Sequence, residues 1–248
     1  MIITKTPEEI EKIAAAGKLV AQALEMAAAA AEPGVESREI DLMVEEFIRA
    51  QDAVPTFKGY HGYPASICVS INDGVVHGIP GSRRFLEGDI VSFDVGVTLS
   101  GFVGDAAVTV PVGEVDDVAA RLIQVTRRAL EEGIDQAWPG NHLSDISHAV
   151  QLVAEEAGFS VVREFVGHGI GRAMHEDPQI PNFGTPGHGP VLEEGMVLAL
   201  EPMINSGGPE VVVLPDKWTV KTADGGYSAH FEHTAAVTAD GPRVLTLL

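Results

Sequence analysis

The stretch EGDIVSFD at residues 87–94 recurs as EGMVLALE at residues 194–201, 107 positions further on. Each copy opens on Glu-Gly, runs through apolar residues and closes on an acid, Asp94 in the first and Glu201 in the second. Pro33-Gly34 followed by Ile40 likewise matches Pro139-Gly140 followed by Ile146, at an offset of 106. Two separate segments agreeing in offset mark an internal duplication of roughly a hundred residues, and two copies are too few for a solenoid. Each copy reads helix, helix, strands. The expected architecture is therefore α+β: two pseudo-twofold halves with antiparallel sheets fused around one site. A single domain over 1–248 is expected, with repeats of roughly 1–112 and 113–248.

Local signals place the helices. Thr6-Pro7-Glu8-Glu9 combines a capping hydroxyl, a proline suited to the first helical position and a capping-box glutamate. Ile10, Ile13, Gly17, Val20 and Leu24 then recur at helical spacing, and Pro33-Gly34 stops the run. A second helix starts at Ser37 with Ile40, Val44, Phe47 and Ile48 inward. In the other half a helix is expected near 117–133. Another starts near Ser144, carries Ile146, Val150 and Val153, and ends at Gly158.

The acids concentrate the chemistry. VSFDVGV and FVGDAAVTV flank the turn signal TLSG. A hairpin turning about Leu99-Ser100 sets Asp94 directly opposite Asp105, with Cβ atoms about 5 Å apart. Like charges so placed repel, and the pair needs a cation, a shared proton or solvent. GDAAVTV at 104–110 is echoed by FEHTAAVT at 231–238, which matches Asp105 to Glu232. That offset has grown to 127, so the second copy holds about twenty extra residues, expected around 205–228. Asp94, Asp105, Glu201 and Glu232 together carry four formal negative charges, which two divalent cations balance. A lone acid there would be a solvated strand end; four at duplicated positions point to metal. A nitrogen ligand is sought in EFVGHGIGRAMHEDP, residues 164–178, which offers His168 and His175. Glycines around His168 let the backbone pass close to a site. Their spacing is not that of a dinucleotide loop. One imidazole with four carboxylates suits Co, Mn, Fe(II) or Zn and does not choose among them.

Composition excludes some partners. Lys and Arg number 16 against 36 Asp and Glu, a net charge of −20, so general nucleic-acid binding is not expected. The pairs Arg83-Arg84 and Arg127-Arg128 read as solvated surface charge. With one cysteine, Cys68, no intrachain disulfide forms. No secretory signal or membrane span is visible, and a cytoplasmic protein is expected.

Six segments in order, NDGVVHGIPG, DIVSFDVGV, GFVGDAAVTVPVG, GHGIGRAMHEDPQIP, VLALEPM and FEHTAAVT, resemble the type I methionine aminopeptidases over nearly the whole chain. The match is to the short bacterial form, without a zinc-binding or linker segment. The resemblance implies the pita-bread (creatinase/aminopeptidase) fold, with helices outside and a central dinuclear metal site. It implies removal of the initiator methionine from nascent polypeptides, with preference for a small second residue. Asp94, Asp105, His168, Glu201 and Glu232 fall on the family's metal ligands, Glu201 also serving as general base. His77 and His175 fall on histidines that contact substrate without binding metal. Tyr60, Tyr63, Cys68, His77 and Trp218 fall on the methionine pocket. Phe57 stands where some members have Cys, and Met174 where an aromatic is common, which puts pocket shape in question. A monomer with transient ribosome proximity is implied. Two rivals share the fold. One is a proline-specific peptidase, which usually carries an additional N-terminal domain. The other is a metal-free binding relative, which all five ligand types argue against.

Overall fold

The computed structural model describes residues 1–247. The first half runs α1 (Pro7–Ala29), α2 (Ser37–Ala50), β1 (Val54–Pro55), β2 (Cys68–Ile71), β3 (Gly74–Val76), β4 (Ile90–Leu99) and β5 (Phe102–Pro111). The second runs α3 (Asp117–Ile134), α4 (Leu143–Glu156), β6 (Ser160–Val161), β7 (Gly167–Gly169), β8 (Glu176–Ile180), β9 (Val197–Leu200) and β10 (Met203–Asn205). It continues with β11 (Val211–Val213), β12 (Val220–Thr222), β13 (Ser228–His230), β14 (Glu232–Thr238) and β15 (Gly241–Val244).

The helices begin where their caps dictate. Thr6 Oγ1 accepts from the Glu9 amide while Glu9 reaches back to the Thr6 amide, with Pro7 at the first turn. Such a cap contributes about 1 kcal/mol. Ile10, Ile13, Gly17, Val20 and Leu24 are all buried, so the expected stripe is the one that packs. On α2, Ile40, Val44 and Ile48 are buried and Phe47 is partly so.

One nine-stranded sheet joins the halves, in the order β1-β4-β5-β14-β9-β7-β8, with β2 also on β4 and β15 on β14. Strand parity gives this sheet two distinct faces. Val91, Phe93, Val95, Val97 and Ala106 pack with α1 and α2. Leu198, Leu200 and Val237 pack with α3 and α4. The alternate residues point to the opposite face, and these include Asp94, Asp105, Ala199, Thr234 and Glu232. Helices cover one side only, which leaves the other for the site.

The β4–β5 register corrects one expectation. The turn is Ser100-Gly101, both with left-handed φ (51° and 79°), a two-residue hairpin loop. Asp105 therefore lies opposite Gly96, and Asp94 opposite Ala107. The two acids share a face as diagonal neighbours rather than as a facing pair. In the second half the β9–β14 register, continued one step past Leu200, does set Glu201 opposite Glu232. The additional residues of that half form β11 and β12, a hairpin paired on β3. Among the described residues no helix is long and apolar enough to cross a membrane.

Candidate active site

Reading the registers across the sheet builds the site in two rows. The first is Cys68, Asp94, Ala107 and Glu232, with Glu201 beyond the end of β9. The second, two residues along, is Gly96, Asp105, Thr234, Ala199 and His168. The residues between the acids are Ala, Thr or Gly, so nothing bulky separates the charged groups. Gly167 and Gly169 carry His168 into the second row. A Cβ on Gly167 would lie 2.5 Å from the Ala199 carbonyl oxygen, and one on Gly169 2.1 Å from that of Asp177. Only glycine lets the strand run this close.

Asp105, His168 and Glu232 are buried, with one ligand atom of each lying within 4.8 Å of the others. His168 Nδ1 donates to the Gly169 carbonyl at 2.9 Å, which leaves Nε2 with a bare lone pair. That lone pair points at oxygens, 3.6 Å from Glu201 Oε1 and 3.9 Å from Asp105 Oδ2. Asp94 Oδ1, Asp105 Oδ1 and Glu232 Oε1 are buried without a hydrogen-bond partner. Burial pushes Asp94 up to about 7. Burial, and then the charges of Asp94 and neighbouring acids, push Asp105, Glu201 and Glu232 well above the ordinary carboxylate range. Burial holds His168 down at about 4, hence neutral at neutral pH. Carboxyl oxygens and the His168 lone pair thus converge with no lysine or arginine lining the site to balance them. This arrangement is repulsive alone and attractive around a cation, so the donor set fits divalent metal.

Above this floor lies a cavity of about 420 Å³ whose lining includes every residue singled out from the sequence. Tyr60 sits on a short 3-10 turn over 60–62, and its hydroxyl is 2.7 Å from His175 Nδ1. The His175 ring lies 4.3 Å from that of His168. Burial, followed by the charge of His61, lowers the His175 pKa. His77 has a left-handed φ of 58° and meets Phe165 and Trp218 edge-on at 5.5 and 6.3 Å. Burial, then the charge of His175, holds it near 4. The buried Tyr63 hydroxyl is shared between the carbonyls of Ile67 and Gly78, at 3.1 and 2.9 Å. Trp218 rides the turn between β11 and β12, where Asp216 Oδ1 accepts from the Trp218 and Thr219 amides. Cys68 is buried beside Asp94. Phe57 and Met174 also line the wall. The Phe57 ring takes the space over Gly96, where a Cβ would lie 2.6 Å from it.

Three residues of the site carried no signal strong enough to single them out. His61 lines the mouth on an irregular turn with φ 48°, beyond the reach of periodicity. Phe165 belongs to a loop. His230 lies two positions before Glu232, and its Nε2 is buried, without a partner, 3.9 Å from Glu232 Oε2. The two-residue strand period could have found it.

Residues 11–239 match the model of metallopeptidase family M24. Methionine aminopeptidase 1 of Bacillus subtilis is 51% identical over 246 residues, which cover 99% of each chain. Methionine aminopeptidase of Clostridium acetobutylicum is also 51% identical, over 100% of this chain and 99% of its own. The crystal structure of methionine aminopeptidase from Thermotoga maritima superposes with a TM-score of 0.98 at 50% identity, covering both chains fully. Prolidase from Pyrococcus furiosus, 23% identical, shares the pita-bread fold at a TM-score of 0.78 and is covered to 66% of its length. On this evidence the chain belongs to metallopeptidase family M24, alongside methionine aminopeptidases that it matches from end to end.

Proposed function

We infer that this chain is a metal-dependent hydrolase that removes an N-terminal methionine from nascent polypeptides, preferring a small second residue. The observation that carries the reading is the pairing of the donor floor with its roof. Four carboxyl groups and the bare Nε2 of His168 converge beneath a cavity walled by Phe57, Tyr60, Tyr63, Cys68, Met174 and Trp218. A thioether side chain suits such a wall. Asp94, Asp105, His168, Glu201 and Glu232 would hold two divalent ions, from among Co, Mn, Fe(II) and Zn. Bound there, the ions supply Lewis acidity and lower the pKa of water.

The remaining work falls to side chains. Glu201, at the edge of the floor, takes the proton from the attacking water on its carboxylate and passes it to the leaving amine. The Tyr60 hydroxyl at Nδ1 of His175 leaves that ring's Nε2 to donate to the scissile carbonyl oxygen as charge develops there. His77, fixed between Phe165 and Trp218, hydrogen-bonds the substrate backbone as a neutral imidazole. Residues 1–248 act as one catalytic domain built from repeats 1–112 and 113–248. The protein works as a cytoplasmic monomer, close to the ribosome that supplies its substrate.

A metal-reconstituted assay tests the reading, comparing Met-Ala-Ser with Xaa-Pro peptides. Turnover of the Met peptide, lost in Asp105→Asn and His168→Ala and after chelation, is expected. Faster cleavage of Xaa-Pro peptides, or full activity in chelator, would falsify it.

A further inference from the structure

The cavity residue His175 is carried by a loop whose support lies outside the cavity. Residues 170–175 form the loop that joins β7 to β8, and it closes where Gly169 pairs with Glu176, the first residue of β8. Met174 and His175 reach the cavity from this loop. Glu176, the next residue, presents its carboxylate to the other side. Its Oε1 accepts from the amides of Arg172 and Ala173, at 2.9 and 3.2 Å. Its Oε2 accepts from Lys5 Nζ at 2.7 Å. This ion pair is buried, with side chains 4% and 9% exposed.

Lys5 is itself fixed at three points. Nζ also donates to the Ile3 carbonyl at 2.7 Å, and the Lys5 amide donates to the Gly195 carbonyl at 2.7 Å. Gly195 opens the segment that leads through β9 to Glu201, and its own amide donates to Val237. No slack remains on the loop side. A Cβ on Gly171 would lie 2.5 Å from Lys5 Cε and 2.9 Å from Glu176 Oε1, and the Gly171 carbonyl accepts from the Val103 amide of β5.

We propose that Lys5 and Glu176 are positioning residues for His175: the segment before α1 acts as a strap that sets the height of the histidine loop over the metal floor. The pair touches neither cavity nor floor. It acts by holding Arg172, Ala173 and Glu176 in one arrangement, which aims the ring that Tyr60 then steadies at Nδ1. Its catalytic consequence rests on the aminopeptidase reading, whereas its structural consequence does not.

The test uses the full chain. In metal-loaded protein, Lys5→Met should lower kcat on Met-Ala-Ser about tenfold, as a catalytic group displaced by a fraction of an ångström does. KM should stay within about threefold and bound metal should be unchanged. Lys5→Arg, which keeps the charge, should stay near the parent. In metal-free, 15N-labelled protein, Lys5→Met should shift the His175 imidazole signals. Arg243→Gln, which breaks an exposed pair between β15 and Glu11 of α1, should leave them in place. If Lys5→Met does not fold, Glu176→Gln carries the same expectations, since it keeps an acceptor for the two amides and removes the charge. A folded variant with kcat within about twofold of the parent overturns the proposal. Unmoved His175 signals, or equal damage from Lys5→Arg, do so as well. If the parent itself fails to cleave the Met peptide, the functional reading falls while the His175 spectra still decide the strap.

Discussion

Metal-free protein should lose stability as pH rises through neutrality, the reverse of what a protein stabilised by salt-bridged acids does. Burial and mutual repulsion raise Asp94 to about 7 and Asp105, Glu201 and Glu232 well above the carboxylate range. In the unfolded chain the same groups titrate near 4. Between those values the native state keeps protons that the unfolded state has released, so stability falls with rising pH. The buried histidines pull the other way. His77, His168 and His233 are held near 4 and His230 near 3, all by burial first, so they add stability as pH climbs toward the unfolded value of about 6.5. Below about pH 6.5 the two trends overlap; from about pH 6.5 to 8 the carboxyls act without that opposition. Each carboxyl still holding its proton then costs about 1.4 kcal/mol per pH unit. For a chain of this length that is a fall in Tm of about 3–6 °C per unit for each such group. Thermal unfolding of chelator-treated protein at several pH values across the window measures it. Adding Mn or Co should raise Tm and remove the decline, since bound ions displace those protons. Glu232→Gln should make the decline shallower. A Tm that is flat or rises with pH in chelated protein would refute the claim that the acids are crowded and dry.

Other perturbations probe single contacts. Tyr60→Phe removes the 2.7 Å bond to His175 Nδ1 and should lower kcat about five- to tenfold with little change in KM, from a bond of about 1 kcal/mol or slightly more; an unchanged kcat means the ring is held by other contacts. Gly104→Ala should cost about 1–3 kcal/mol, because its Cβ would lie 2.7 Å from the Gly17 amide nitrogen where α1 crosses β5. Calorimetry showing no loss of Tm would mean that α1 can lift at no cost. Phe57→Ala opens the wall over Gly96 and should raise kcat/KM for Phe-Ala-Ser relative to Met-Ala-Ser; an unchanged ratio shows that Phe57 does not bound the pocket.

Local chemistry explains why so much of this fold was readable. Thr6, Pro7 and Glu9 lie within one turn, and the apolar stripe of α1 repeats within four residues, so each signal is complete without the rest of the chain. Strand parity is as local, and it puts Asp94 and Asp105 on one face although a turn about Leu99-Ser100 pairs each with a residue two positions from its true partner. The slip has a definite cause. Sequence marks the turn TLSG but does not say which two residues take left-handed φ, and Ser100-Gly101 moves the pairing by a full side-chain period. A shift of that size keeps the face and changes the neighbour. His61, Phe165 and the Lys5–Glu176 pair were not legible, because loop geometry or a separation of 171 residues brings them into place.

The same register argument explains why duplicated strands yield a single imidazole. In the second half His168 on β7 lies opposite Ala199 of β9. The residue matching Ala199 in the first copy is Ser92, and its partner on β2 is Ser70. Where one half offers a lone pair to the floor, the other offers a hydroxyl that already accepts from the Gly78 amide at 3.3 Å. Ser92 is likewise engaged, 2.8 Å from Thr109 Oγ1. The first half therefore contributes two acids, and the second contributes two acids and the nitrogen. If two ions bound this set they would not be held alike, since one near His168, Asp105 and Glu232 would have a neutral nitrogen donor and one nearer Asp94 would have only oxygens. The two positions should then differ in affinity. Titrating metal-free protein with Mn or Co should show two unequal binding steps, and His168→Ala should weaken the tighter one. Two equal steps, or a loss confined to the weaker step, would show that the nitrogen does not set the order of filling.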